Sequence, residues 1–291
     1  MTFLLVGGDE RQVYLAKRLA VSNRVLLYGM GEQALSVPGG EILRFPEAAQ
    51  LREVEVLVLP VPAMRPDGNI YAPFSQIKLE LLPLLQMLPA GVRVLGGKIG
   101  PVCAAQIASC GFTYEDVLLR EDFAVKNAVP TAEGAIQILM EELPQTIDGM
   151  KILLVGSGRI SKILRRKLHA LGAAVSVCCR RSEEAAWALA DGCEVLEPEA
   201  LASCVRLADA VINTVPAKLL TEPVLRQIRP QTLVIDLASA PGGVQWPAAS
   251  ALGVRTIWAQ SLPGKCAPER AGEILYETVC RIRKEWEHHG Q

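Results

Sequence analysis

The sequence predicts an α/β protein made of two Rossmann-like or flavodoxin-like parallel-sheet domains separated by a cleft. Three observations carry this expectation. Short apolar runs alternate with helical stretches along the 291-residue chain, the pattern of strands that cross over through helices into a parallel sheet. The alternation comes in two successive series, interrupted at "NAVPTAEGAIQILMEELPQTIDGM" (127–150). The second series opens on "LLVGSGRISKILRRKL" (153–168), a buried strand, a Gly-x-Gly turn and a helix.

In the first series the expected strands are Phe3–Gly7, Val25–Tyr28, Val56–Leu59 and Val92–Leu95. Between the first two, Val13, Leu15, Ala16 and Leu19 recur at helical spacing. Pro66, Gly68 and Pro73 in "MRPDGNIYAPF" mark an exposed loop, a candidate flap. At the interruption, Pro130 biases Val129 toward an extended conformation, and Thr131 is the expected N-cap. The joint helix then spans 131–143 and stops before Pro144. The expected division is an N-terminal substrate domain over 1–128, joined by a C-terminal helix over 268–291, and a dinucleotide domain over 129–267.

Six strands are expected in the second series: Lys151–Val155, Ala174–Cys179, Glu194–Leu196, Ala210–Val215, Leu233–Leu237 and Val254–Trp258. That number suits a doubly wound nucleotide-binding sheet. The last helix carries Leu275, Val279, Ile282 and Trp286 on one stripe, which predicts packing back across the joint. A homodimer contact is the alternative use of the stripe.

Composition narrows the class. Thirty basic and thirty-one acidic residues leave a net charge of −1, which offers no pull toward nucleic acid or an anionic membrane. The eight cysteines form no Cys-x-x-Cys pair and no Cys/His ligand set, as expected of small buried thiols in a reducing compartment, and no metal is expected. "MTFLLVGGDERQ" enters a strand directly, and its apolar run is too short for a signal peptide. A cytoplasmic location is expected.

In the glycine turn, Gly156 allows the tight reversal, and Gly158 lets the amides of Ser157, Gly158, Arg159 and Ile160 approach a pyrophosphate. Ser161 stands where the third glycine of the dinucleotide fingerprint belongs. Serine is small enough to keep most of the helix packing that this glycine serves. The end of the next strand selects the cofactor. An NAD site places a carboxylate there, whereas this chain has Arg180, Arg181 and Ser182, which suit the 2′-phosphate of NADP. A solvated arginine pair satisfied by Glu183 or Glu184 is the plainer alternative. Three more strand ends are expected to line the same edge. They are Thr214, Val215 and Pro216 in "NTVPAK", Asp236, Leu237 and Ala238 in "DLASAPGG", and Leu262 and Pro263 in "SLPGK".

"GGDERQ" (7–12), "LPVPA" (59–63), "REDFAVKNAVPTAEGA" (120–135), "INTVPAKLL" (212–220), "IDLASAPGG" (235–243) and "LPGKCAPERAG" (262–272) occur in an order that resembles the A subunits of bacterial dipicolinate synthase. The likeness covers nearly the whole chain, and Ser161 is its departure in the glycine turn. The resemblance implies a sporulation enzyme of the mother cell, acting with a flavoprotein-like B subunit. The implied reaction is the NADP-dependent dehydrogenation of dihydrodipicolinate to dipicolinate.

A dicarboxylate needs cationic or amide partners. Arg11 with Asp9 is the first candidate, followed by the Thr131–Glu133–Gly134 turn and Lys265, with Lys98 and Arg120 also near strand ends. The three histidines, His169, His288 and His289, include none near "SLPGK", which argues against a 2-hydroxy-acid dehydrogenase. Closure about the joint is expected to leave a cleft lined by Gly8, Pro60, Asn127, Thr131, Thr214 and Leu262. The competing reading is a nucleotide-binding structural subunit whose partner does the chemistry, or another NADP dehydrogenase of similar layout.

Overall fold

A computed structural model describes residues 1–289, so the last two residues of the expected helix 268–291 lie outside the described residues. The chain divides into two compact units, one of Met1–Lys126 with the segment from Ala267 onward, the other of Asn127–Cys266.

The first unit holds the strands β1 (Thr2–Val6), β2 (Arg24–Tyr28), β3 (Gly40–Leu43), β4 (Val56–Val58), β5 (Arg93–Gly96) and β6 (Thr113–Asp116). They form one parallel sheet in the order β3-β2-β1-β4-β5-β6. This is the Rossmann order, in which β1 and β4 flank the switch point; the flavodoxin alternative does not apply. Two strands, β3 and β6, are additional to the four expected. Alternate residues of the central strands face opposite cores, as the two-residue period of a strand requires. Leu4, Val6, Leu26 and Leu57 enter one cluster, and Phe3, Leu5, Val25, Leu27, Val56 and Val58 the other.

The second unit contains β7 (Lys151–Val155), β8 (Ala174–Cys178), β9 (Glu194–Leu196), β10 (Ala210–Asn213), β11 (Leu233–Asp236) and β12 (Thr256–Trp258). Their order, β12-β11-β10-β7-β8-β9, is the same topology read from the other edge. Ile152, Leu154, Val175, Val177, Ile212 and Ile235 fill one face, and Leu153, Val155, Cys178, Val211 and Val234 the other. Burial on both faces explains why these strands read as continuous apolar runs.

The joint helix differs from expectation. It runs over Glu121–Glu142 with Pro130 inside it, so Val129 is helical and Thr131 is not an N-cap. Proline removes one helix hydrogen bond here, but Ala132, Ala135 and Leu139 are fully buried in the second unit's core. That packing outweighs the local preference. The Thr131 hydroxyl donates to Asn127 O at 2.8 Å. A Cβ on Gly134 would lie 2.9 Å from Cys266 Sγ and 3.1 Å from Leu262 Cβ, so glycine lets the helix meet that segment.

The C-terminal helix, Pro268–His289, packs within the first unit. Ile274, Leu275, Val279 and Ile282 join the cluster of Phe3, Leu5, Val13 and Leu19. Gly272 permits close approach, because a Cβ there would lie 2.5 Å from Tyr14 Cβ and 2.8 Å from Arg11 O. Charge ties secure the same helix. Arg120 donates to both carboxylate oxygens of Glu285 at 2.8 and 2.7 Å and to Glu115 at 2.7 Å, and Lys126 Nζ donates to Glu277 at 2.5 Å. Arg120 therefore holds elements together and is not free for a substrate.

The bond from Arg120 holds the Glu285 carboxyl below its ordinary value, and the bond from Lys126 does the same for Glu277. Groups depressed in the folded state stabilise it above their unfolded pKa and lose that contribution as pH falls through the folded one. Melting temperature is therefore expected to drop from roughly pH 5 downward, toward pH 3. An E277Q/E285Q variant should show a shallower acid limb in thermal melts; an unchanged limb would count against these ties.

Candidate functional site

The residues expected to hold a dinucleotide lie at the carboxyl end of the second sheet. Gly156 leaves β7 with φ +97, and a Cβ there would lie 2.5 Å from Val215 Cγ2 and 2.6 Å from Thr214 Oγ1. Gly158 caps the Arg159–Ala170 helix without a side-chain bond, and a Cβ on it would meet nothing within 4 Å. No acidic residue occupies the first turn of that helix. The open space at Gly158 and the positive end of the helix suit a pyrophosphate. Arg159 is exposed at this mouth and Ile160 is half-buried.

The side chain of Ser157 faces inward. It is 2% exposed, accepts from Arg165 Nη1 at 3.0 Å and donates to Glu184 O at 3.4 Å, which leaves the backbone to meet a ligand. Arg165 is wholly buried, with Nε 2.6 Å and Nη2 2.5 Å from Asp191 Oδ2. A buried cation therefore braces the glycine turn from behind, a residue that sequence reasoning missed. Its signal was a charge at a helix position between buried Leu164 and Leu168. Ser161 is also fully buried and its hydroxyl has no partner among the described residues. The helix closes onto the sheet despite the missing glycine.

The neighbouring loops are tied by Asn213 and Asp236. Asn213 Nδ2 donates to Asp236 Oδ1 at 2.8 Å and to Val215 O at 2.9 Å. Asp236 accepts further from Ala238 N at 3.1 Å and Gly243 N at 2.8 Å, and it is fully buried. The Asp236 carboxylate thus organises loops rather than facing a ligand, which corrects its expected role. Gly243 is obligatory there, since a Cβ would lie 2.1 Å from Asn213 Nδ2. Thr214 Oγ1 donates to Val155 O at 3.0 Å, Pro216 is exposed, and Leu237 and Ala238 are buried. Leu262 and Pro263 are buried in the short Leu262–Cys266 helix that follows Ser261, a non-glycine residue at φ +58.

At the end of β8, Arg180 is exposed and has no protein partner among the described residues. Arg181 is exposed too but pairs with Glu184, and Ser182 begins the Ser182–Ala190 helix. The two arginines are therefore unequal.

In the first unit the corresponding turn is closed. Gly8 N donates to Tyr71 O at 2.7 Å, and a Cβ on Gly7 would lie 2.7 Å from that same oxygen. The 63–71 hairpin occupies the place where a dinucleotide phosphate would approach. Asp9 caps the Glu10–Ala20 helix through Arg11 N, and its two oxygens accept from Arg11 Nε at 2.9 Å and Nη2 at 2.7 Å. Arg11 Nη2 also donates to Val61 O, beside the cis Val61–Pro62 peptide. Lys98 is exposed at φ +56, its backbone held by Asp116. Of the remaining candidates, Thr131 is engaged by Asn127 O, Glu133 pairs with Lys167 at 2.8 Å, and Lys265 is exposed without a partner among the described residues. These three belong to the second unit, whereas Asp9 and Arg11 belong to the first.

Residues 2–118 match the family of the N-terminal domain of the dipicolinate synthase A subunit, and residues 151–240 match the family described as NADP oxidoreductase coenzyme F420-dependent. The chain is 29% identical to the A subunit of dipicolinate synthase from Bacillus subtilis, covering 97% of this chain and 95% of that protein. Among solved structures it resembles the dipicolinate synthase A subunit from Bacillus halodurans, with TM-score 0.89 and 30% identity over 97% of each chain. A transhydrogenase from Sinorhizobium meliloti shares the fold, with TM-score 0.72 at 15% identity over 97% of this chain and 94% of that one. Such oxidoreductase folds take a nicotinamide or related nucleotide, and the open turn at Gly156–Gly158 agrees. With this fold, this turn and likeness over the full length, the chain belongs to the family of dipicolinate synthase A subunits.

Proposed function

We propose that this chain dehydrogenates dihydrodipicolinate to dipicolinate with NADP⁺, in the mother cell of a sporulating bacterium and together with a B subunit. The observation that carries the NADP assignment is Arg180, a cation unpartnered among the described residues where an NAD site has a carboxylate. In this reading the second unit is the dinucleotide domain and the first unit the substrate domain. Bound NADP⁺ supplies a hydride acceptor. Substrate loses one hydride and one proton and becomes an aromatic pyridine, so aromatisation itself drives the step. Positioning is then the chain's main task, and a strong base is not required of it. That agrees with His169, whose ring nitrogen lies 3.3 Å from the buried Cys193 thiol.

Within this reading, the Gly158–Ile160 amides hold pyrophosphate, Arg180 and Ser182 hold the 2′-phosphate, and Arg11 meets a substrate carboxylate. The test is purified chain with NADP⁺ and dihydrodipicolinate, with and without the B subunit. NADPH absorbance that depends on the chain is expected. Dipicolinate formed without NADPH, and without this chain, would assign the chemistry to the partner.

A further inference from the structure

Three donor groups without a hydrogen-bond partner among the described residues are linked around Tyr71, which the first turn of the first unit holds through Gly8 N. Arg11 is only 7% exposed, and its Nε and Nη2 are taken by Asp9 and Val61 O. Its Nη1 has no partner among the described residues and is not sealed from solvent. The second donor is the Tyr71 hydroxyl, half-buried and without a hydrogen bond to any described residue. The third is Arg65, exposed and without an ion pair among the described residues, whose guanidinium carbon lies 5.9 Å from the centroid of the Tyr71 ring.

Backbone pairing sets this arrangement. Tyr71 N donates to Ala63 O at 3.1 Å, Arg65 N donates to Asn69 O at 2.7 Å, and Met64 bridges Ile70 antiparallel. Gly8 N pins the hairpin through Tyr71 O at 2.7 Å. Burial and the Asp9 carboxylate raise the Tyr71 phenol's pKa, while Arg11 and Arg65 act against them, so the hydroxyl lies within electrostatic reach of all three. Asp9 neutralises Arg11. Asp67, at the hairpin tip, accepts from Asn69 N at 3.1 Å and lies 4.0 Å from Lys78. Arg65 acts on the Asp67 carboxylate at a distance but forms no ion pair with it among the described residues. It therefore adds a positive charge beside the neutral Asp9–Arg11 pair, at the switch point between β1 and β4 where such sheets bind ligands.

We propose that Arg11 Nη1, the Tyr71 hydroxyl and Arg65 form a binding site for a small dicarboxylate. One carboxylate meets Arg11 and Tyr71, and the other meets Arg65. This rests on the reading of the substrate as a dicarboxylate, and it names the residues that would distinguish two carboxylates from one.

Calorimetric titration of the full chain, without cofactor and in metal-free buffer, tests it with pyridine-2,6-dicarboxylate, pyridine-2-carboxylate and glutarate. R65M is expected to weaken the pyridine dicarboxylate by about tenfold and leave the monocarboxylate unchanged. Y71F should weaken both pyridine acids by about threefold, and NADP⁺ affinity should stay as in wild type. Both positions reach solvent, so the fold should survive. Wild-type affinity for the pyridine dicarboxylate in both variants would overturn the site. If glutarate alone binds and R65M weakens it, the site stands and the pyridine substrate is wrong. If no dicarboxylate binds, the site is wrong, whatever the dehydrogenation assay shows.

Discussion

Replacing Arg180 by aspartate is expected to erase or reverse a preference for NADP over NAD. The glycine turn meets pyrophosphate, which the two cofactors share, so discrimination must come from the end of β8. Arg180 is exposed there without a partner among the described residues, whereas Arg181 is engaged by Glu184. A charge-assisted hydrogen bond to the extra phosphate contributes about 1.5–3 kcal/mol, and exposure at this rim favours the lower figure. That still corresponds to roughly a tenfold preference. In R180D the carboxylate repels the phosphate and accepts from ribose hydroxyls instead. R181A should do less, because its guanidinium is already paired. Titration of both cofactors into wild type and the two variants reads the effect. Equal wild-type affinity for NAD and NADP would reduce the arginine pair to a solvated surface feature.

That prediction was legible in the sequence, and the reason is local. All six strands of the second sheet were expected within about two residues of their observed ends. The central four were legible because their apolar runs are buried on both faces, and the edge strands β9 and β12 because Val195, Leu196 and Ile257 still pack against the core between turn residues. The strands β3 and β6 were not visible. Each lies at a sheet edge and is largely exposed, so neither shows an apolar run. Pro130 misled for a different reason: its backbone preference is local, while the burial of Ala132, Ala135 and Leu139 that keeps the helix going is tertiary. The site divides the same way. Gly156, Gly158 and Arg180 are close together in sequence and follow a known pattern. Tyr71 comes to the first turn only through the hairpin and the Gly8–Tyr71 bond, and Arg65 only through Tyr71, an arrangement no spacing encodes. Asp236 looked like a ligand residue at a strand end, but Asn213 and two backbone amides claim it.

The largest loss of stability is expected from Arg165→Met. Arg165 is wholly buried, and its partner Asp191 keeps only 14% side-chain exposure. Removing one member of a buried ion pair leaves the other charge without its partner, at a cost of about 3–5 kcal/mol. The lower figure applies here, because Asp191 retains Arg166 at 3.1 Å and some contact with solvent. A melting temperature lower by on the order of 10 °C should follow. The deficit should depend on pH. Burial pushes the Asp191 carboxyl up, but the bonds from Arg165 and Arg166 outweigh it and hold the group below its ordinary value. The pair therefore stabilises the fold above the unfolded carboxyl pKa, and this is lost as pH falls through the folded one. Wild type and R165M should converge as pH drops below about 4. Melting curves at neutral and acid pH check this, and an R165M protein as stable as wild type at neutral pH would sink it. S157A separates bracing from stability. It removes the hydroxyl that Arg165 holds at 3.0 Å but leaves the ion pair intact. S157A leaves the buried Arg165 Nη1 without its acceptor and should melt a few degrees below wild type, by less than R165M. It should yet bind NADP⁺ several-fold more weakly, because its glycine turn is no longer anchored from behind. Unchanged NADP⁺ affinity in S157A would confine Arg165 to holding the helix in place.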